Sequence, residues 1–168
     1  MAESVDFEAF CLRHNAALIR MLTLYCGDVE VARDVCQEAL ARAWVHWRKV
    51  RRMERSDLWV RRVALNLAKS QFRHRGVERA AAGRQEPAGR PVQVEGDTAD
   101  RLLVRQALGE LTDRQRTAVI LRFLEDLSVE QTADLMGCSA GTIKKLTARG
   151  LAGLRLLIGD DVEVPTDA

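Results

Sequence analysis

The chain has 168 residues, of which 47% are hydrophobic and only 5% aromatic, and its formal net charge is +2. This length is enough for one ordinary domain or two small ones, and few aromatic residues beside abundant Leu and Ala favour helices over a sheet. No apolar run approaches the roughly 20 residues that a membrane-spanning helix needs, and the N-terminus lacks the apolar core of a signal peptide. These features predict a cytoplasmic, all-α protein that does not enter a membrane.

Charge is distributed unevenly along the chain. Residues 1–47 have a net charge of −3, residues 48–79 of +8 and residues 80–168 of −3. A basic block between acidic segments predicts a local site for a polyanion, although a solvated, charged helix face would give the same counts.

Three helices are predicted in the first half of the chain. Apolar residues recur at helical spacing through residues 5–25, and Gly27 then interrupts the pattern. Asp28 can cap a second helix that runs to about Trp47. The apolar side of this second helix is formed by Val31, Val35, Ala39, Ala43, Trp44 and Trp47.

A basic loop and a third helix complete this half. The loop spans Arg48–Arg55, and Ser56 or Asp57 can cap a helix from Leu58 to about Arg75. From residue 76 to residue 98 the sequence has four Gly, two Pro and no apolar periodicity, which is typical of a flexible linker. The chain is therefore predicted to form two small helical domains joined by a flexible linker.

The second half contains the pattern of a helix-turn-helix. After a helix near residues 102–111, the motif Thr112 to Gln115 fits a capping box that opens a helix through about Leu124, and Ser128 to Gln131 fits a second one. The short helix that follows ends at Gly137, which can take the left-handed conformation.

The final helix of this pattern is the candidate DNA reader. Ser139 can cap it, it extends to about Ile158, and Ile143 and Leu146 are expected to face inward. In a major groove its first turns would meet base edges while Lys and Arg contact phosphates. A helical hairpin with surface lysines would have a similar pattern, so this motif alone indicates only DNA binding. The candidate contact residues are Ser139, Gly141, Thr142, Lys144, Lys145 and Arg149.

No catalytic, metal or cofactor site is predicted. Cysteines stand at positions 11, 26, 36 and 138, without the close spacing of a zinc site. Cys11 and Cys36 fall on apolar helical faces, which favours buried thiols over redox sensing. The three histidines, at positions 14, 46 and 74, are scattered along the chain.

Four motifs resemble those of bacterial RNA polymerase sigma factors of the extracytoplasmic-function type. Asp34, Gln37 and Glu38, followed by Trp44, are similar to the D-x-x-Q-E…A-W motif of sigma region 2. The run 59–68 resembles the W-L-x-x-I-A-x-N-x-A stretch of the same region. Residues 111–128 resemble the L-P-x-x-R…D-L-S pattern of region 4, and residues 141–144 match its G-T-V-K.

The resemblance assigns a range and a function to each part of the chain. Residues 5–76 would be region 2, residues 77–98 the linker and residues 99–158 region 4. The chain would then be a promoter-specificity factor without catalytic activity that binds core RNA polymerase and the −10 and −35 promoter elements. Its 22 arginines against 4 lysines are typical of a GC-rich genome and suggest the actinobacterial sigma-E-like group.

The resemblance also implies roles for residues of the first domain. Asp34, Gln37 and Glu38 would face the clamp coiled coil of core polymerase, and an acidic, amide-bearing stripe suits an Arg-rich surface. The next segment would open the −10 element, and the loop near residues 49–57 corresponds to the part that captures a flipped base. Trp59 is either a stacking platform or a core residue. The candidate −10 contacts are Trp59, Arg61, Arg62, Asn66, Lys69, Arg73 and Arg75.

The sequence departs from the family pattern in the final helix. Lys145 stands where many members have Ser, and Leu146 and Thr147 stand where many have Arg and Leu. The −35 contacts are therefore expected to differ from the common ones. Many members are also held by an anti-sigma factor that clamps between the two domains, and a linker at 77–98 is compatible with such a partner.

Two other functions fit part of the sequence. A helix-turn-helix regulator would bind duplex DNA without polymerase, but it would need neither the acidic helix nor the basic block at 48–79. An interaction protein, such as an anti-sigma factor, would not need the DNA-binding features.

Overall fold

The computed structural model describes residues 2–81 and 99–159, and within them the side chains of residues 3–71 and 102–159. Every element in these ranges is helical, which confirms the all-α prediction. The chain divides into two compact units, residues 1–87 and 88–168. The domain ranges 5–76 and 99–158 stay predictions. No helix in the described ranges is long and apolar enough to cross a membrane.

Over residues 2–81, the first unit contains four helices. They are α1 (Ala2–Cys26), α2 (Val29–Val45), α3 (Trp47–Val50) and α4 (Ser56–Ala81). The three long helices pack against one another around an apolar core. Its fully buried members include Leu18, Met21, Leu22, Tyr25, Val35, Ala39, Val50, Val60 and Ala64.

The start of α2 follows the sequence prediction. Gly27 has a positive φ of 72°, which ends α1, and the Asp28 carboxylate accepts hydrogen bonds from the backbone N–H groups of Glu30 and Val31. This cap satisfies donors that have no partner within the helix and fixes the direction of α2.

The predicted end of α2 at Trp47 was wrong. The helix ends at Val45, and Trp47 begins the short helix α3, so the predicted loop Arg48–Arg55 is helical over its first three residues. The break lets the Trp47 ring pack on Phe7 and Phe10, with ring centroids 5.0 and 5.2 Å apart. Trp47 is only 5% exposed, whereas Trp44, expected on the same apolar side, is 47% exposed.

Both ends of the predicted third helix were also wrong. Helix α4 begins at Ser56 instead of Leu58, so Asp57 lies in its first turn and not at the cap. It continues to Ala81, past the expected end near Arg75 and into the first five residues of the predicted linker. Residues 76–81 include Ala, Glu and Arg, which extend an existing helix without needing an apolar face. Residues 82–98 lie outside the described residues.

In the described residues of the second unit, a helix-turn-helix follows three helical segments. Its elements are α5 (Ala99–Glu110), α6 (Asp113–Val119), a π-helical segment (Ile120–Leu124), α7 (Val129–Met136) and α8 (Ala140–Ile158). The two capping boxes, at Thr112 with Gln115 and at Ser128 with Gln131, are confirmed. Gly137 has a φ of 63° and ends α7 in the left-handed conformation, as predicted.

Close packing fixes the position of α8 within this unit. A Cβ atom at Gly150 would lie 2.6 Å from Val119 Cγ2, and one at Gly153 would lie 2.9 Å from Leu111 Cδ2. The two glycines, which lower helix propensity, therefore permit α8 to approach its neighbours.

A buried arginine holds the end of α5. The Arg116 guanidinium donates hydrogen bonds to the carbonyl oxygens of Leu108 (2.8 Å), Gly109 (2.9 Å) and Leu111 (3.2 Å). These hydrogen bonds engage carbonyl oxygens at the end of α5, where Leu108 O also accepts one from the Leu111 backbone N–H at 3.3 Å, so Arg116 acts as a C-terminal cap.

Candidate nucleic-acid interface

An acidic stripe lies on the exposed side of α2. Asp34, Gln37 and Glu38 are all exposed, whereas the adjacent Val35 and Cys36 are buried. The spacing i, i+3, i+4 places the three side chains on one helical face. Glu38 Oε1 accepts a hydrogen bond from Arg42 Nε at 2.7 Å, which orients one carboxylate on this surface.

The basic segment after α2 is tied to the start of α1. Arg48 Nε lies 3.4 Å from Glu3 Oε1, and Arg51 Nη1 donates to Asp6 Oδ2 at 2.9 Å. Part of the positive charge counted in this block is therefore compensated by the acidic N-terminus, an arrangement that charge counts alone could not predict.

Asp57 forms the centre of a second charge cluster. Its Oδ1 and Oδ2 accept hydrogen bonds from Arg55 Nε and Nη2, both at 3.2 Å, and its Oδ2 also accepts one from Arg61 Nη1 at 2.8 Å. Burial of the carboxylate opposes its charged form, but the Arg55 hydrogen bond and the two guanidinium charges outweigh it, so the pKa of Asp57 is lowered. The pair with Arg61 has the i, i+4 spacing that could have indicated it in the sequence.

The predicted −10 residues on α4 do not share one face. Trp59, Arg62, Asn66 and Lys69 follow a 3, 4, 3 spacing and form a stripe, on which Arg62 and Asn66 are exposed and the other two are half-buried. Arg61 points elsewhere, toward the face of Leu65 and Ala68, and only 12% of its side chain is exposed. The side chains of Arg73 and Arg75, also on α4, lie outside the described residues.

Trp59 is not a core residue of this unit. It is half-buried, and its ring lies edge-on to His46 with a centroid distance of 6.4 Å. Part of the ring therefore remains accessible for contact with another aromatic group, as base stacking requires.

The predicted reader helix α8 presents a cationic surface. Its exposed residues include Gly141, Lys144, Lys145 and Arg149. None of these three cations forms an ion pair with another residue in the described ranges. Ile143 is fully buried, as predicted, whereas Leu146 is only half-buried.

Ser139 has a structural role at the start of α8. Its Oγ accepts a hydrogen bond from the Thr142 backbone N–H at 3.2 Å and lies 2.9 Å from Thr142 Oγ1. The predicted cap is therefore present, and both hydroxyls are already engaged at the helix N-terminus.

The prediction of buried thiols is confirmed for Cys36 and wrong for Cys11, which is only partly buried. Cys36 is buried and its thiol donates to Asn15 Oδ1 at 3.3 Å. Burial raises the pKa of the Cys36 thiol to about 11, and burial followed by the charge of Glu8 raises that of Cys11. Thiols held in the protonated form are poor nucleophiles, which argues against redox sensing at this pair.

Comparison with known families gives two matches in the expected order. The family described as sigma-70 region 2 matches residues 11–77, and the family described as sigma-70, region 4 matches residues 101–154. Each match lies entirely within one of the two compact units. The stripes on α2 and α4 belong to the first match, and the helix-turn-helix belongs to the second.

Curated relatives align over nearly the full chain. The RNA polymerase sigma-E factor of Streptomyces coelicolor is 34% identical over 155 residues, which cover 92% of this chain and 87% of that protein. The ECF RNA polymerase sigma factor SigL of Mycobacterium tuberculosis is 30% identical, with 94% and 91% covered.

Solved structures show the same fold. The sigma factor RpoE of Bartonella quintana, crystallised with the anti-sigma factor NepR, matches with a TM-score of 0.81 and 26% identity over 94% of this chain and 99% of that one. CnrH, in complex with the cytosolic domain of CnrY, matches with a TM-score of 0.66 and 23% identity over 93% and 89%, which supports the fold alone. The chain therefore belongs to the RNA polymerase sigma factors of the extracytoplasmic-function group.

Proposed function

We propose that this sigma factor divides its contacts among three helices: α2 binds core polymerase, α4 and the loop before it hold the −10 element, and α8 binds the −35 element. The protein is a specificity factor for promoter-directed transcription initiation. One observation carries this division. On α2 and α8, and for most of the described side chains on α4, the candidate residues reach solvent, whereas the core positions beside them are buried.

The α2 stripe has the chemistry of a polymerase contact. Two carboxylates and one amide within about one helical turn can accept several hydrogen bonds from a guanidinium-rich helical surface. Complementary charge of this kind speeds association and fixes orientation. The exposed side chains of Asp34, Gln37 and Glu38 need no rearrangement of the core to make these contacts.

The α4 stripe has the chemistry of a single-strand contact. Arg62 and Lys69 neutralise phosphates, the Asn66 amide reads an exposed base edge, and Trp59 offers an aromatic surface for stacking. Arg73 and Arg75 extend the basic sequence of the same helix. Arg61 contributes indirectly, because its guanidinium is engaged with Asp57.

The α8 surface has the chemistry of a major-groove contact. Gly141 allows close approach of the backbone at the helix N-terminus, and Lys144, Lys145 and Arg149 provide charge for phosphates and base acceptors. Ser139 and Thr142 fix the first turn of the helix and so set the register of these cations.

The protein acts without catalysis of its own, in the cytoplasm, where bacterial RNA polymerase works. An anti-sigma factor is a further proposed partner. The similarity to RpoE, whose structure was determined with the anti-sigma factor NepR, supports this partner.

A binding measurement with core polymerase tests the central assignment. The double variant Asp34→Ala with Glu38→Ala should weaken core binding by about tenfold or more, because guanidinium partners would lose their acceptors. The matched control, Glu8→Ala with Glu110→Ala, removes two exposed carboxylates elsewhere and should bind like the wild type. Equal affinity of all three proteins would contradict the role of α2.

A further inference from the structure

The loop before α4 is fixed by an ion pair at each end. At its start, Arg51 is paired with Asp6 of α1 at 2.9 Å, and at its end Arg55 is paired with Asp57 of α4. Between these two anchors lie only three residues, Arg52–Glu54. Arg52 and Glu54 are exposed, and the Met53 backbone N–H donates to the Val50 carbonyl at 3.0 Å. These three residues are the loop tip.

The hydrogen bonds at Asp57 restrain the orientation of the Arg55 guanidinium. Arg55 meets both carboxylate oxygens, and a bidentate pair holds the guanidinium plane as well as its distance. The same carboxylate is held by Arg61, whose side chain is mostly buried. Through Asp57, Arg55 at the end of the loop is therefore linked to Arg61 on the inner face of α4.

Helix α1 also contributes to this environment. Burial and then the Arg61 charge lower the pKa of His14 on α1, while the Asp57 charge opposes this shift. The His14 ring packs on Phe10 at a centroid distance of 4.5 Å. The Asp57 carboxylate therefore joins the end of the loop to α4, while the Arg51–Asp6 pair joins the start of the loop to α1.

We propose that Asp57 is a positioning residue for −10 recognition: by holding Arg55 and Arg61 together it fixes the shape of the loop tip Arg52–Glu54 and thereby sets base selectivity. This inference rests on the proposed function, in which this loop meets the −10 element. Asp57 itself does not contact DNA.

Preorganisation is the physical reason for this effect on selectivity. A loop with one shape offers its contacts to one base at little ordering cost, whereas a loop with several shapes can adapt to the wrong base. Loss of the anchor should therefore reduce the difference between promoters more than it reduces folding or polymerase binding.

The test measures transcription by holoenzyme, reconstituted from the full chain and core polymerase, on a promoter library varied at each −10 position. Asp57→Asn keeps the shape of the side chain but removes its charge, and Arg55→Gln breaks only the loop arm of the cluster. Glu8→Gln is the matched control, because it removes one exposed carboxylate from the same unit. Thermal unfolding and core affinity are measured on each variant.

The expected result is a fall of about threefold or more in the ratio of transcript from the preferred base to transcript from the others, in both Asp57→Asn and Arg55→Gln. The control should retain the wild-type ratio, and core affinity should be equal in all four proteins. If Asp57→Asn fails to fold, Arg55→Gln alone decides the outcome.

Unchanged base ratios, with or without a uniform loss of transcript, would overturn the positioning role and leave Asp57 a stabilising residue only. Absence of core-dependent transcription by the wild-type protein would overturn the proposed function and this inference together. The two failures are therefore distinguishable.

Discussion

Adjacent arginines on α4 lie in different surroundings. Arg61 is largely buried and paired with Asp57 at 2.8 Å, whereas Arg62, the next residue, is exposed on the stripe with Asn66. A step of one residue rotates a helical side chain by about 100°, so neighbours in sequence reach different surroundings. A count of basic residues overstates the charge available to DNA, because some of it stabilises the fold.

Two cations on α8 are expected to contact phosphate. Lys144→Ala with Arg149→Ala should weaken duplex binding and reduce the slope of log affinity against log salt by about two, because each phosphate contact contributes roughly 0.9 to the slope. Binding of a −35 duplex is measured between about 50 and 200 mM salt, a range over which such contacts have a large effect.

Arg155→Ala is the matched control for this pair. Arg155 is exposed on the same helix but lies beyond the reader segment. Its removal should leave the slope nearly unchanged. A slope that is equal in the double variant and the wild type would mean that Lys144 and Arg149 do not touch phosphate.

Asp57 should make the stability of the first unit depend on pH. Its pKa is lowered from the ordinary value of 3.8, because the Arg55 hydrogen bond and the charges of Arg55 and Arg61 outweigh burial. A lowered pKa stabilises the folded state at pH values above the unfolded pKa, and this contribution disappears as the pH falls through the folded pKa.

The comparison of wild type with Asp57→Asn isolates this contribution. The wild type should have the higher free energy of unfolding near neutral pH, and the difference should shrink below about pH 4. All three Trp residues lie in the first unit, so Trp fluorescence during urea unfolding reports on that unit. A difference that stays constant across this pH range would contradict a stabilising role for the ionised carboxylate.

At the scale of elements, helix starts were more predictable than helix ends. Side chains such as Asp28, Thr112, Ser128 and Ser139 satisfy backbone donors locally, so each start can be inferred from a few residues. The end of α2 depends instead on tertiary packing of Trp47 against α1, and α4 continues to Ala81 although no apolar periodicity marks residues 76–81. Neither helix end can therefore be read from the residues at the position where the helix ends.

The contact between α8 and α6 should be sensitive to one methyl group. Gly150→Ala should destabilise the second unit by about 1–3 kcal/mol, since the new Cβ would overlap the stiff, branched side chain of Val119. Far-UV circular dichroism during denaturation should detect the change while Trp fluorescence of the first unit stays the same.

Gly109→Ala is the matched control for this substitution. It also replaces a helical glycine in the second unit, but nothing lies within 4 Å of its added Cβ. It should stabilise the unit by up to about 1 kcal/mol through helix propensity. Equal effects of the two substitutions would mean that Gly150 is not required for close packing.

At the scale of the whole molecule, the order of motifs identified the protein class, but the candidate surfaces needed the structure. The spacing of Asp34, Gln37 and Glu38 predicts a shared face, and the structure places all three in solvent. The ion pairs from Asp6 to Arg51 and from Arg55 to Asp57 could not be inferred reliably. The first joins residues 45 positions apart, and the second depends on the turn into α4.

The helix-turn-helix alone is compatible with a duplex-binding regulator, whereas a sigma factor must act through polymerase. Run-off transcription with core polymerase and fragmented genomic DNA separates the two most directly. For a sigma factor, we expect discrete transcripts that require both core polymerase and this protein. Binding of DNA fragments without any core-dependent transcript would contradict this expectation.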